Sequence, residues 1–130
     1  MAKCPQVFLD EKGEFASANT NMVYDLKQYD YKFLLGYFNS KLFEYVYKTM
    51  FGGISMLGSI QVQAPQIRKS LIPKLTPSLR QQPIIEKVDA LLKMKENNPN
   101  IDTSAIEQQI DQLVYALYNL TPEEIAIIEQ

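Results

Sequence analysis

Short apolar runs separated by turn residues mark the first part of the chain. Residues 7–9, 14–20 and 22–26 each carry β-branched or aromatic side chains within a few positions, a pattern typical of strands. Gly13 lies between the first two runs and favours a turn, because glycine adopts positive φ without a steric penalty. These runs predict a small antiparallel sheet. Farther along, residues 60–63 alternate apolar and polar side chains, which indicates another strand.

The pattern changes to a helical period after Asp30, which is a suitable N-cap. Between residues 31 and 51, apolar side chains recur at helical spacing, which predicts helix. Gly36 and the pair Asn39-Ser40 interrupt this pattern. The interruption favours two helices, with Ser40 capping the second, and small residues here would also let another backbone approach closely.

The middle of the chain has no clear period. Residues 52–59 are rich in glycine and predict a flexible loop. Prolines at positions 65, 73 and 77 bracket residues 67–71. We interpret that segment as a short turn followed by extended chain.

The last third regains helical spacing. A first helix follows a capping box that starts at Ser78, and a second follows Asp102 or Thr103 as its cap. Two such helices joined by the loop at residues 97–100 predict an antiparallel hairpin. Thr121 and Pro122 open a short terminal helix. The expected fold class is therefore α+β: a small antiparallel β part with a packed helix, then a helical hairpin and a short C-terminal helix.

Composition excludes several kinds of catalytic site. The 130-residue chain has no His and one Cys, which excludes His-dependent triads, His-ligated metals and an internal disulfide. No glycine-rich phosphate loop occurs. We therefore expect no enzyme activity from this chain alone. The absence of a membrane-spanning apolar run, of a signal-peptide core and of paired cysteines predicts a cytoplasmic location.

Charge is distributed unevenly along the sequence. Residues 31–80 carry a net charge of +6, whereas residues 81–130 carry −6 and the whole chain −2. A basic zone of this kind suits a phosphate backbone. The alternative interpretation is a scattered set of solvated lysines.

Three patches then match one family pattern in order. The first is residues 31–45, YKFLLGYFNSKLFEY, and the second runs from residue 53 to residue 73. The third comprises residues 78–89 and 110–125, the latter including LVYALYNLTPEEI. Together they resemble the C-terminal specificity region of TaqI-like and type IIG restriction–modification enzymes. That region is akin to the target-recognition and spacer-helix parts of type I specificity subunits.

The resemblance implies a division of labour within a longer enzyme. In such enzymes an upstream domain methylates adenine in DNA with S-adenosylmethionine, and the downstream region selects the DNA sequence. The Asn-Pro-Pro-Tyr-type motif of the methyltransferase does not occur here, so no cofactor is expected in this chain. Residues 1–77 then correspond to a partial target-recognition subdomain, and residues 78–130 to a helical spacer.

Candidate DNA contacts lie mainly in the basic zone. The guanidinium of Arg68 suits guanine edges or phosphates, and the glutamine amides at positions 61, 63 and 66 suit adenine edges. The alternative is that these glutamines simply face solvent. The expected site residues are Lys41, Lys48, Gln61, Gln63, Arg68, Lys69 and Lys74, with the lysines as phosphate contacts.

Other functions remain open. The main alternative is a helical protein–protein interaction module that does not bind DNA. The expected partners are double-stranded DNA and the upstream methyltransferase domain, with a homodimer through the hairpin as a further expectation. A small standalone enzyme would need the carboxylates of Asp10, Glu11, Glu14 and Asp25, which we interpret as ordinary surface charges. The helical carboxylates expected to stay solvated are Glu107, Asp111, Glu123, Glu124 and Glu129.

Overall fold

A computed structural model describes residues 5–14, 20–24, 26–51, 62–70, 72–74 and 80–130. These residues form six α-helices and no strand. The helices are α1 (Tyr31–Phe38), α2 (Lys41–Phe51), α3 (Ala64–Lys69), α4 (Gln82–Asn97), α5 (Ser104–Leu117) and α6 (Pro122–Ile128).

The expected α+β fold is therefore wrong for the part of the chain that the structure describes. Residues 7–9, 22–24 and 62–63 are not strands, while residues 15–19, 25, 60 and 61 lie outside the described residues. Side chains satisfy backbone groups that a neighbouring strand would otherwise bind. The side chain of Asn39 accepts from the Val7 amide at 3.0 Å and donates to its carbonyl at 2.8 Å, and Asn21 donates to the carbonyl of Val62 at 2.7 Å.

The division between α1 and α2 is confirmed, and each helix has a local cap. The carboxylate of Asp30 accepts from the Lys32 amide at 2.7 Å. The hydroxyl of Ser40 accepts from the Phe43 amide at 3.3 Å, one turn into α2. Each bond satisfies an amide that the first turn of a helix leaves unpaired.

The core lies where α1 crosses α4 and α5. Phe33 and Val114 are fully buried there, and Gly36 faces α4. A Cβ at position 36 would lie 2.9 Å from Cγ2 of Ile84 and 3.0 Å from Cγ2 of Val88. Glycine is thus required because the side chains of α4 approach α1 too closely for a methyl group.

The predicted helical hairpin is present as α4 and α5, which pack along each other. Pro83 lies in the first turn of α4, where no amide is needed. Thr103 occupies the N-cap position of α5, but the carboxylate of Asp102 accepts from the Ser104 amide at 2.9 Å. The proposed cap Ser78 lies outside the described residues.

Buried Gln81 links the start of α4 to the start of α1. Its side-chain oxygen accepts from the Asp30 amide at 2.9 Å, and its nitrogen donates to the Gln28 carbonyl at 3.2 Å. Helices from both sides of residue 77 thus share one core. The division into subdomains 1–77 and 78–130 stays a prediction.

The interpretation of residues 67–71 as a turn followed by extended chain is wrong at its start. Residues 67–69 belong to α3, with Gln63 at the N-cap position and Pro65 in the first turn. A proline is compatible with a helix at that position, because the first turn has no partner for its amide. The chain is irregular again at residues 72–74.

Candidate nucleic-acid interface

Helix α3 presents two neighbouring cations at its C-terminal end. Arg68 and Lys69 lie in its last turn, and both side chains are exposed. No ion pair joins either of them to another residue that the structure describes. These two cations are available to an anionic partner.

Contacts of its first turn and of the residues that flank it attach α3 to the other described parts of the chain. The hydroxyl of Tyr47, on α2, donates to Oε1 of Gln66 at 2.6 Å. Val62 packs against the core, and the side chain of Asn21 donates a hydrogen bond to the Val62 carbonyl. No side chain of α3 is itself buried. After the helix, Ile72 packs against the core and the Pro73 carbonyl accepts from the Tyr29 hydroxyl, so α3 is attached by its first turn and by the residues on both sides of it.

The glutamines of the predicted site have different environments. Oε1 of Gln66 accepts from the Tyr47 hydroxyl and, at 3.2 Å, from the backbone amide of Gln63, so this oxygen is occupied within the protein. The side chain of Gln63 is exposed and remains a candidate DNA contact. Gln61 lies outside the described residues, as do Met56 and Leu57 in the predicted loop.

The lysines of the predicted site divide into two groups. Lys74 is exposed beside Pro73, whose carbonyl accepts from the Tyr29 hydroxyl at 2.8 Å. Lys41 and Lys48 lie on α2, seven positions and about two turns apart, and thus on one face. Both are exposed but paired: Lys48 with Glu44, and Lys41 with Glu129 at 3.8 Å.

Folding neutralises part of the positive charge of the basic zone, residues 31–80. Lys32 also forms an ion pair, with Asp89 of α4, so two lysines of the basic zone meet carboxylates from the acidic last third. Hydrogen bonding to Asp89 raises the pKa of the Lys32 ammonium and keeps it charged. Exposed ion pairs of this kind contribute little stability. They do occupy lysines of α1 and α2, whereas the cations of α3 form no ion pair with another described residue.

Asp111 is buried, contrary to the expectation that it stays solvated. Its Oδ1 accepts from the backbone amide of Lys41, the first residue of α2, at 2.8 Å. Burial raises the pKa of the carboxyl, and the hydrogen bond from Lys41 opposes that shift. Asp111 thus joins α5 to the N-terminus of α2, and its position next to Ile110 on the apolar side of α5 was the available signal.

Five of the eight tyrosines lie between residues 29 and 47, and the buried ones among them serve the core. Tyr37 and Tyr47 belong to the core, and the hydroxyl of Tyr37 lies 3.1 Å from that of Tyr118. Burial raises the pKa of the Tyr37 phenol, so it stays neutral. These two rings are not accessible for base stacking. Tyr31 and Tyr45 are exposed.

The acidic side chains of the described residues do not form a metal site. No group of three or more Cys, Asp or Glu side chains among them could hold a metal ion. Asp10 accepts from the Glu14 amide at 3.2 Å across an exposed turn, with Glu11 beside it. Asp25 lies outside the described residues.

Two surface depressions lie among the described residues. One is an apolar groove lined by Val7, Phe8, Val23 and Leu35, among others. The other is an open groove lined by Gln108, Gln112 and Lys87, among others. No helix in the described parts of the chain has both the length and the apolar character needed to cross a membrane.

Comparisons of this chain with models of known protein families, with curated protein sequences and with solved structures gave no match.

Proposed function

We propose that this chain is a DNA-recognition fragment of a restriction–modification enzyme. It contacts target DNA, docks on the methyltransferase part and has no catalytic role of its own. The observation that carries the proposal is the exposed pair Arg68 and Lys69 at the end of an anchored helix. The ordered resemblance of residues 31–45, 53–73, 78–89 and 110–125 to specificity regions supplies the enzyme class.

The chemistry of α3 suits a phosphate backbone. A guanidinium fork binds two phosphate oxygens at once, and an ammonium adds a point charge beside it. Gln63, at the other end of the same helix, carries an exposed amide that suits an adenine edge. Cationic contacts set position on the duplex, whereas amide contacts supply sequence preference.

Docking on an upstream domain is supported by exposed apolar side chains near the start of the chain. Phe8, Met22 and Tyr24 are 62%, 65% and 75% exposed. Exposed apolar side chains of this size are the kind of surface that a partner protein covers. S-adenosylmethionine would belong to that upstream part, as the resemblance implies.

The same exposed residues favour the second candidate, a protein–protein interaction module without DNA binding. The two candidates differ in their dependence on salt. DNA binding through phosphates weakens steeply as salt rises, whereas an apolar contact does not. A homodimer also stays a prediction, although the apolar stripes of α4 and α5 already pack on α1.

Fluorescence anisotropy with a labelled mixed-sequence duplex tests the proposal. We expect salt-dependent binding by the natural chain and its loss in Arg68→Glu/Lys69→Glu. The matched control is Lys12→Glu/Lys93→Glu, which makes the same charge change at exposed positions outside α3. The absence of binding at low salt, or equal losses in both double variants, would contradict the proposal.

A further inference from the structure

We infer that Tyr47 is a positioning residue for DNA contact, because its hydroxyl fixes the orientation of α3. This inference rests on the proposed function and deepens it. Tyr47 itself would not touch DNA, since only 2% of its surface is exposed. It acts through the 2.6 Å hydrogen bond that its hydroxyl donates to Gln66.

Helix α3 depends on external contacts for its orientation. It has six residues and buries none of them, and isolated helices this short are not stable in water. The backbone amide of Gln63 and the hydroxyl of Tyr47 both donate hydrogen bonds to Oε1 of Gln66. One side-chain oxygen thus closes the first turn of α3 and ties that turn to α2.

The position of Gln66 determines where the cations point. Successive residues of a helix are turned by about 100°, so Arg68 is turned by about 200° from Gln66. With Gln66 held toward Tyr47, the side chain of Arg68 is directed away from α2, consistent with its exposure. Without that bond, α3 could rotate or fray, and Arg68 would lose its fixed direction.

The buried ring makes the hydroxyl separable from the packing. Tyr47 contacts Phe43 and Phe51, with ring centroids 5.8 Å and 5.1 Å away. Phenylalanine would keep these contacts and remove only the oxygen. Burial raises the pKa of the Tyr47 phenol, with a hydrogen bond from the Gln63 backbone acting in the opposite direction, so the hydroxyl remains a donor at neutral pH.

The test compares Tyr47→Phe with Tyr45→Phe, which removes an exposed hydroxyl from the same helix. We expect Tyr47→Phe to raise the Kd for duplex DNA about fivefold, as expected when the hydrogen bond to Gln66 no longer orients α3, and to flatten the dependence of Kd on salt. Tyr45→Phe should change neither. A purely structural role for Tyr47 would lower stability without altering the salt dependence.

A double-mutant cycle with Gln66→Leu locates the effect. If the Tyr47–Gln66 bond positions α3, the combined variant should bind no more weakly than Gln66→Leu alone. Amide hydrogen exchange should accelerate at residues 66–70 and stay unchanged in α5. If the natural chain and the Tyr47→Phe variant bind DNA equally well, this inference is overturned and the proposed function stands. Natural chain that does not bind at low salt would overturn both.

Discussion

The α1–α4–α5 core and helix α3 are held in place by different forces. In the core, Phe33, Ile84 and Val114 are each no more than 1% exposed and pack across three helices. Helix α3 buries no side chain and is attached through Tyr47 and Val62. The contrast separates stability from candidate function: the core residues should determine whether the chain folds, and the α3 residues what it binds.

The largest expected effect comes from emptying the core. Phe33→Ala should lower the free energy of unfolding by about 3–5 kcal/mol, because a fully buried ring is lost and a cavity remains. Urea unfolding followed by circular dichroism measures this change. Phe8→Ala removes an exposed ring and is the matched control, with an expected change within about 0.5 kcal/mol. Equal losses in the two variants would contradict the assignment of the core.

Overpacking at the α1–α4 crossing should cost less. Gly36→Ala should lower the free energy of unfolding by about 1–2 kcal/mol, because the clash with Ile84 and Val88 outweighs the better helix propensity of alanine. Val88→Ala opens space beside the new methyl group, so the double variant should lose less than the sum of the single losses. Additive losses would indicate that the helices do not approach as closely as described.

The contact between Asp111 and α2 should be sensitive to pH. Because burial raises its pKa above 3.8, the folded protein binds the proton more readily than the unfolded chain. The resulting stability is complete below pH 3.8 and is lost as pH rises through the folded pKa. Asp111→Asn keeps an oxygen to accept from Lys41 but cannot ionise.

Urea unfolding of both proteins across this pH range measures the effect. We expect the natural chain to lose stability relative to the Asn variant as pH rises toward neutrality. A difference that is constant with pH, or that changes in the opposite direction, would contradict the buried position of Asp111.

The smallest effect on stability should come from the proposed interface. Arg68→Glu/Lys69→Glu changes two exposed side chains without partners among the described residues, so the free energy of unfolding should change by no more than about 0.5 kcal/mol. Thermal unfolding and DNA binding are measured on the same double variant, which should keep its stability and lose its binding. A large loss of stability would show that these cations serve the fold, which would remove the contrast between core and α3.

Local signals explain which features could be predicted from the sequence. The caps at Asp30 and Ser40 and the capping box of Thr121 and Glu124 at the start of α6 depend on residues within one turn of each other. The hairpin of α4 and α5 follows from two apolar stripes at helical spacing joined by a short loop. Their side-chain chemistry is visible in the sequence, and the structure confirms them.

The errors involve contacts between distant residues or helices too short to show a period. The apolar run at residues 7–9 resembles a strand, but the Asn39 side chain binds the backbone amide and carbonyl of Val7. Beside the run at residues 22–24, the Asn21 side chain binds the carbonyl of Val62, which belongs to another predicted strand. Helix α3 has only six residues, fewer than two turns. The partner of Tyr47 lies 19 positions away, so its role could not be predicted from local spacing. The pairing of the candidate Lys41 with Glu129, 88 positions away, likewise could not be predicted from local spacing.

The most direct test of DNA recognition through α3 is a titration of isotope-labelled protein with short duplex DNA, followed by amide resonances in NMR spectra. The account predicts salt-dependent shifts concentrated at residues 63–70, with the amides of residues 107–129 unaffected. Shifts centred on α5 and α6 with α3 unchanged, or no shifts at low salt, would contradict it.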